Sequence, residues 1–148
     1  IYTTYLNGKN TVSIQEKREK YQREELFREF QRDNYLKLQE SIPKVLGLTG
    51  SLLLEDIKNY SLTGNWQKDL LDSEKDNALS KELRNLTLYI ERVDNEILRK
   101  ELKIFRKEIG NVNRSSSMTE SNNLMAELTK STFDELMKKL GIELRRNY

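Results

Sequence analysis

The chain has 148 residues, enough for one domain with a real core, and carries 26 Lys plus Arg against 24 Asp plus Glu. So balanced a charge excludes a global field steering the whole molecule toward nucleic acid. The absence of both Cys and His removes disulfides, thiolate nucleophiles, the usual transition-metal ligands and the commonest general base. One Pro, six Gly and 34% charged residues suit a helical bundle with solvated faces better than a sheet protein.

Residues 1–12 hold Gly8 and Asn10 without a helical period and read as a leader or juxtamembrane segment. Ser13 and Glu16 have the spacing of a capping box, in which each side chain meets the other's free backbone N–H. Helix one is expected to start there and run to about residue 60. Over 13–25 it carries Glu16–Lys20 and Glu19–Arg23 pairs in the favourable acid-then-base order, with only Ile14 and Tyr21 apolar. A packed stripe begins at Leu26, Phe27 and Phe30 and continues through Leu38, Ile42, Val45, Leu52 and Leu53 to Ile57 and Tyr60. Pro43 removes one helical hydrogen bond. Because the apolar positions stay in phase across it, a kink is expected, with a split near residue 42 as the alternative.

The stretch 61–77 reads as a loop, with Trp66 plugging the bundle end and Leu70 and Leu71 in a piece that folds back. Helix two is expected over 78–112. Its seam steps by four and three through Leu79, Leu83, Leu86, Ile90, Val93 and Ile97, then resumes one residue later at Leu98, Leu102, Phe105, Ile109 and Val112. Ser117 with Glu120 opens helix three, 118–140, along Leu124, Leu128, Phe133, Leu136, Met137 and Leu140. Gly141 is placed as its left-handed cap, with Ile142 folding back. These helices would span roughly 70, 50 and 35 Å. A second helix of that length would end opposite about residue 25 of the first, leaving 13–25 as a charged projecting stalk or as the contact surface of a dimer. The expected fold is all-α, an elongated antiparallel three-helix bundle with a long, Pro-kinked first helix, or four helices if the first splits at Pro43.

The densest basic cluster is Arg99, Lys100, Lys103, Arg106 and Lys107. Glu96, Glu101 and Glu108 interleave with it, and no aromatic side chains accompany it for base stacking, so it reads as a solvated face. Carboxylate pairs such as Glu91–Asp94 lack an apolar setting that would give them separate acid and base roles. Gly-rich phosphate loops and nucleophile elbows are absent. No catalytic residue, cofactor, metal or small-molecule substrate is expected. Trp66, Arg99, Lys103, Arg106 and Lys107 stand as candidate interaction residues. Arg92 and Asp94 flank a seam position and are candidates for inter-helix ion pairs that set register, with an Arg92–Glu96 pair as the alternative.

Near the start, Ile1, Tyr2, Tyr5 and Leu6 precede Lys9, Lys17, Arg18, Lys20 and Arg23. Tyrosines followed by cations often mark where a chain leaves a bilayer on its cytoplasmic side. Four segments occur in this order: Tyr35-Leu36-Lys37-Leu38-Gln39-Glu40, Thr63-Gly64-Asn65-Trp66, Arg92-Val93-Asp94-Asn95-Glu96-Ile97-Leu98-Arg99 and Gly141-Ile142-Glu143-Leu144-Arg145. Together they resemble a diffuse group of uncharacterised bacterial proteins with one N-terminal transmembrane helix and a cytosolic helical or coiled-coil domain. The resemblance implies an anchor upstream of Ile1 and no assigned activity. The expectation is a non-enzymatic protein–protein interaction or scaffolding domain on the cytoplasmic side of a bacterial membrane, binding a protein partner or itself. The alternative is a soluble, cytoplasmic regulatory or phage-type protein acting on a protein or, less in keeping with the charge pattern, on nucleic acid.

Overall fold

The computed structural model describes residues 2–66 and 73–148, all of them in helices and short connections, with no strand among the described residues. Helix α1 covers Tyr2–Thr63, α2 Ser73–Glu91, α3 Glu96–Arg114 and α4 Met118–Glu127. A π-helical turn at Leu128–Thr132 joins α4 directly to α5, Phe133–Arg146. Four helical runs therefore form, because the segment expected as one helix over 78–112 breaks at residues 92–95.

The break has a local cause. Asp94 and Asn95 are both strong helix-capping residue types. Asn95 adopts an extended backbone, and its side-chain oxygen accepts the Leu98 N–H at 3.1 Å, starting α3 afresh. The turn costs one residue of phase, which is the offset seen in the seam. Val93 stays buried, Ile97 is 74% exposed, and Leu98, Leu102, Phe105, Ile109 and Val112 line the core.

This hairpin shortens the reach of α2. Its 19 residues extend about 28 Å rather than the roughly 50 Å of an unbroken helix. Consequently α2 ends opposite Gln31 and Asn34: the Gln31 side-chain amide donates to the Arg92 carbonyl at 3.0 Å and that of Asn34 to the Tyr89 carbonyl at 2.9 Å. Burial on α1 begins at Gln31, not Leu26, while Leu26, Phe27 and Phe30 are exposed. From there Tyr35, Leu38, Ile42, Val45, Leu52 and Leu53 enter the core, facing Leu86, Ile90, Leu102, Phe105, Ile109, Leu128 and Leu140 of the other helices. Midway, Ser41 Oγ donates to Glu82 Oε1 at 2.8 Å and Lys44 pairs with Glu82 Oε2 at 3.3 Å, linking α1 to α2.

Other boundaries differ from expectation for related reasons. The expected leader 1–12 is helical from Tyr2, and Ser13 caps nothing. Gly8 and Asn10 each disfavour helix only modestly, and extending an existing helix costs far less than nucleating one. Helix α1 also continues through Pro43 rather than splitting there. Pro43 is exposed, and the Gln39 carbonyl it leaves without a helical donor belongs to a residue that is itself only partly buried. Gly64, with φ of 72°, ends the helix in the left-handed conformation that a side chain would disfavour, its N–H donating to the Tyr60 carbonyl.

At the other terminus, Gly141 is not a cap. The helix runs on to Arg146, and Asn147 closes it through its side-chain amide on the Glu143 carbonyl at 2.8 Å. Ile142 is 43% exposed instead of folding back. The π turn appears where the apolar step widens to five, Leu128 to Phe133, and the Phe133 N–H donates to the Leu128 carbonyl. That one extra residue keeps Leu136 and Leu140 on the core side. Ser117 does cap α4, accepting the Glu120 N–H at 3.2 Å. Leu70 and Leu71 lie outside the described residues.

Candidate functional site

The sequence-derived candidates separate into three places. Trp66 sits at the end of the bundle far from the N-terminus, half-buried, with its indole N–H on the Ser115 carbonyl at 3.2 Å. Its ring meets Tyr60 edge-on at 6.0 Å. The first contact holds the loop after α1 against the end of α3 and the second packs it on α1 itself, so Trp66 closes the core.

Arg92 and Asp94 lie in the α2–α3 turn at the opposite end, and neither makes an ion pair among the described residues. Register is set by hydrogen bonds instead. The buried Tyr35 hydroxyl donates to Asp94 Oδ1 at 2.6 Å, and the same oxygen accepts the Asn95 N–H at 3.0 Å. Burial first, then the hydrogen bond to Asp94 and the negative charges of Asp94 and Glu143, push the phenol's pKa well up, so Tyr35 stays a donor. Asn95 donates to Glu143 Oε1 at 3.0 Å, tying the turn to α5, and Arg32 donates to the Asn147 carbonyl at 2.6 Å. The Arg92 guanidinium lies 5.9 Å from the Phe30 ring centre. Gln31 Oε1 and Asn34 Oδ1 are buried with no hydrogen-bond partner among the described residues. This layer therefore serves specific alignment of three elements more than raw stability.

The basic cluster on α3 is reorganised by folding. Arg99 is taken up by the turn, donating to the Val93 carbonyl at 2.8 Å, and Lys100 pairs with Glu96 along its own helix at 3.5 Å. Lys103, Arg106 and Lys107 share a groove of about 390 Å³ between α2 and α3 with Leu83, Gly110, Asn113 and Arg114. Arg114 is the member that sequence reading missed, since Gly110 and Asn113 separate it from the cluster in the chain. At roughly 100° per residue it returns to the same helix face as Lys103 and Lys107. Lys103 reaches Glu91 at 3.0 Å, and Arg106 Nε donates to Thr87 Oγ1 at 2.6 Å.

Of the acidic residues that interleave in the chain, Glu96 stays beside Lys100, but Glu101 and Glu108 turn away from the groove. Glu101 faces α5 and pairs with Lys139 at 2.7 Å. Glu108 turns toward α4, where burial and then the Glu127 carboxylate raise its pKa. No carboxylate lines the groove. The result is a cationic strip whose charge the linear pattern concealed.

Among the described residues, no group of three or more Asp and Glu side chains is placed to hold a metal ion, and no helix is long and apolar enough to cross a membrane. Comparison of the chain with family models, with curated proteins and with solved structures gives no match.

Proposed function

We propose that this chain is a non-enzymatic interaction or scaffolding domain, the cytosolic part of a single-span bacterial membrane protein. In this reading α1 is bent at Pro43 and carries the bundle away from the bilayer. The observation that carries it is the N-terminal part of α1. Every described side chain from Thr4 to Glu24 is exposed, over a helix of about 30 Å that nears the bundle at its end, where Lys20, Arg23 and Glu24 share a shallow cleft with Asn147. An unpartnered helix of that length is marginal on its own in water. It is well suited to hold a bundle at a fixed distance or to receive a second helix, for which Tyr5, Val12 and Leu26 offer apolar contacts on one side and Ile14 and Tyr21 on another.

Two measurements test this reading. Cells producing the full-length gene product are expected to hold it in the membrane fraction. A product found only in the soluble fraction, with no apolar span of about 20 residues ahead of Ile1, overturns the anchor. Photo-crosslinkers at Tyr21 and Leu26 are expected to join α1 to a second polypeptide in the cell, and recovery of the uncrosslinked monomer alone overturns the interaction role.

A further inference from the structure

We propose that the groove between α2 and α3 docks an acidic helical segment of a partner protein. Carboxylates would be received by Lys107 and Arg114, and an apolar side chain would be seated on Leu83. The proposal deepens the interaction reading above and rests on it. Three features point to this occupant. Four cations line one groove; Lys103 is paired with Glu91 beside it, and among the described residues no ion pair holds Lys107 or Arg114. Lys103 to Arg114 spans about 16 Å along α3, three turns, which matches a helical segment better than a single small anion. The lining contains Leu83 but no aromatic ring, so it provides an apolar seat and no platform on which bases could stack.

The groove is also partly pre-set. Thr87 fixes Arg106 across the floor, and the Arg114 guanidinium folds over Gly110, where a side chain would come within 3.1 Å of it. These two arginines therefore need less ordering on binding than free side chains would.

The test is fluorescence anisotropy with the full chain and three labelled probes. These are a helical peptide of about 12 residues with Glu recurring every fourth position beside Leu, the same peptide with Lys for Glu, and an oligothymidylate of similar length. Binding of the acidic peptide is expected, with none of the basic one. Lys107→Glu and Arg114→Glu should each weaken it at least about tenfold, Lys107→Gln less, and Lys100→Glu, on the same helix outside the groove, not measurably. Circular dichroism confirms that each variant folds, and Lys107→Gln, exposed and uncharged, keeps the test decisive should Arg114→Glu unfold. Absence of acidic-peptide binding, or equal loss in Lys100→Glu, overturns the proposal. Tighter binding of the oligothymidylate, falling steeply between about 50 and 200 mM salt, overturns it in favour of nucleic acid. Because the crosslinkers at Tyr21 and Leu26 report on a different surface, failure here and failure of the interaction reading are distinguishable.

Discussion

Helix α1 has two halves of similar helical character and opposite surroundings. From Thr4 to Glu24 every described side chain faces solvent, whereas from Gln31 to Asp56 a residue is buried at nearly every turn. The N-terminal half is not poor in large side chains, for it holds Tyr5, Val12, Ile14 and Tyr21. What differs is the line that faces the bundle. Followed back from Gln31 in steps of three and four, that line meets Phe27 and then Glu24, Lys20 and Glu16, and charge at the last three makes burial costly. Helix formation is therefore shared by both halves, and packing is confined to one.

Substitutions can break that contrast. Phe105→Ala, at a fully buried ring facing the packed half of α1, should cost about 3–5 kcal/mol, whereas Phe27→Ala, at a 51% exposed ring, should stay within about 0.5 kcal/mol. Chemical denaturation of both variants measures the difference directly, and a large loss at Phe27 would place it in the core. Pro43→Ala gives the Gln39 carbonyl a helical donor and should stabilise by about 1–3 kcal/mol. A loss instead would mean that the packing of residues 45–56 depends on a bend at Pro43.

The layer at the base of the projecting half is sharper still. Tyr35→Phe should cost about 1–2 kcal/mol at neutral pH through the lost bond to Asp94. Its pH dependence has a definite sign. The folded phenol holds its proton more tightly than the unfolded one, so its contribution is complete below about pH 10 and declines as pH rises above that value. Unfolding followed from pH 8 to 11 should show the decline in the parent chain and a flatter profile in Tyr35→Phe. The smallest effect is expected from removing residues 1–24, which should change the unfolding free energy by less than about 0.5 kcal/mol while lowering the helical circular dichroism signal. A cooperative loss of stability would show that the projecting half belongs to the fold.

Much of the architecture was legible from spacing alone. The all-helical class, the Ser117 cap, Trp66 as an end plug and the core positions of α3 follow from apolar period and cap chemistry. The break at 92–95 was also written in the chain, as Asp94-Asn95 and the one-residue offset. It was obscured because Val93 remains buried in the turn and so continues the seam without a gap. The step of five from Leu128 to Phe133 was likewise present, and only the continuous hydrogen bonding shows it to be a π turn rather than a new helix. Gly141 misled because glycine permits a left-handed cap without requiring one, and Ile142 and Glu143 continue the helix toward the contact with Asn95.

The candidate groove was less accessible. Lys103, Arg106 and Lys107 were visible as a cluster, but their weight depends on where Glu101 and Glu108 point and on whether Arg114 returns to their side. Those are properties of helix phase and of which neighbour each face meets.

By itself, then, the sequence determined what local energetics can determine: that the chain is helical, that Ser117 caps a helix, and which apolar positions of α3 must be hidden. Only the tertiary structure decided how far α2 reaches, hence that burial on α1 starts at Gln31, and how the charges of α3 divide between its faces. The physical reason is the same in each case. Helix propensity and amphipathic period act over a few residues. Burial and charge pairing depend on a partner surface, and a single turn at Asp94 and Asn95 changes which surface that is.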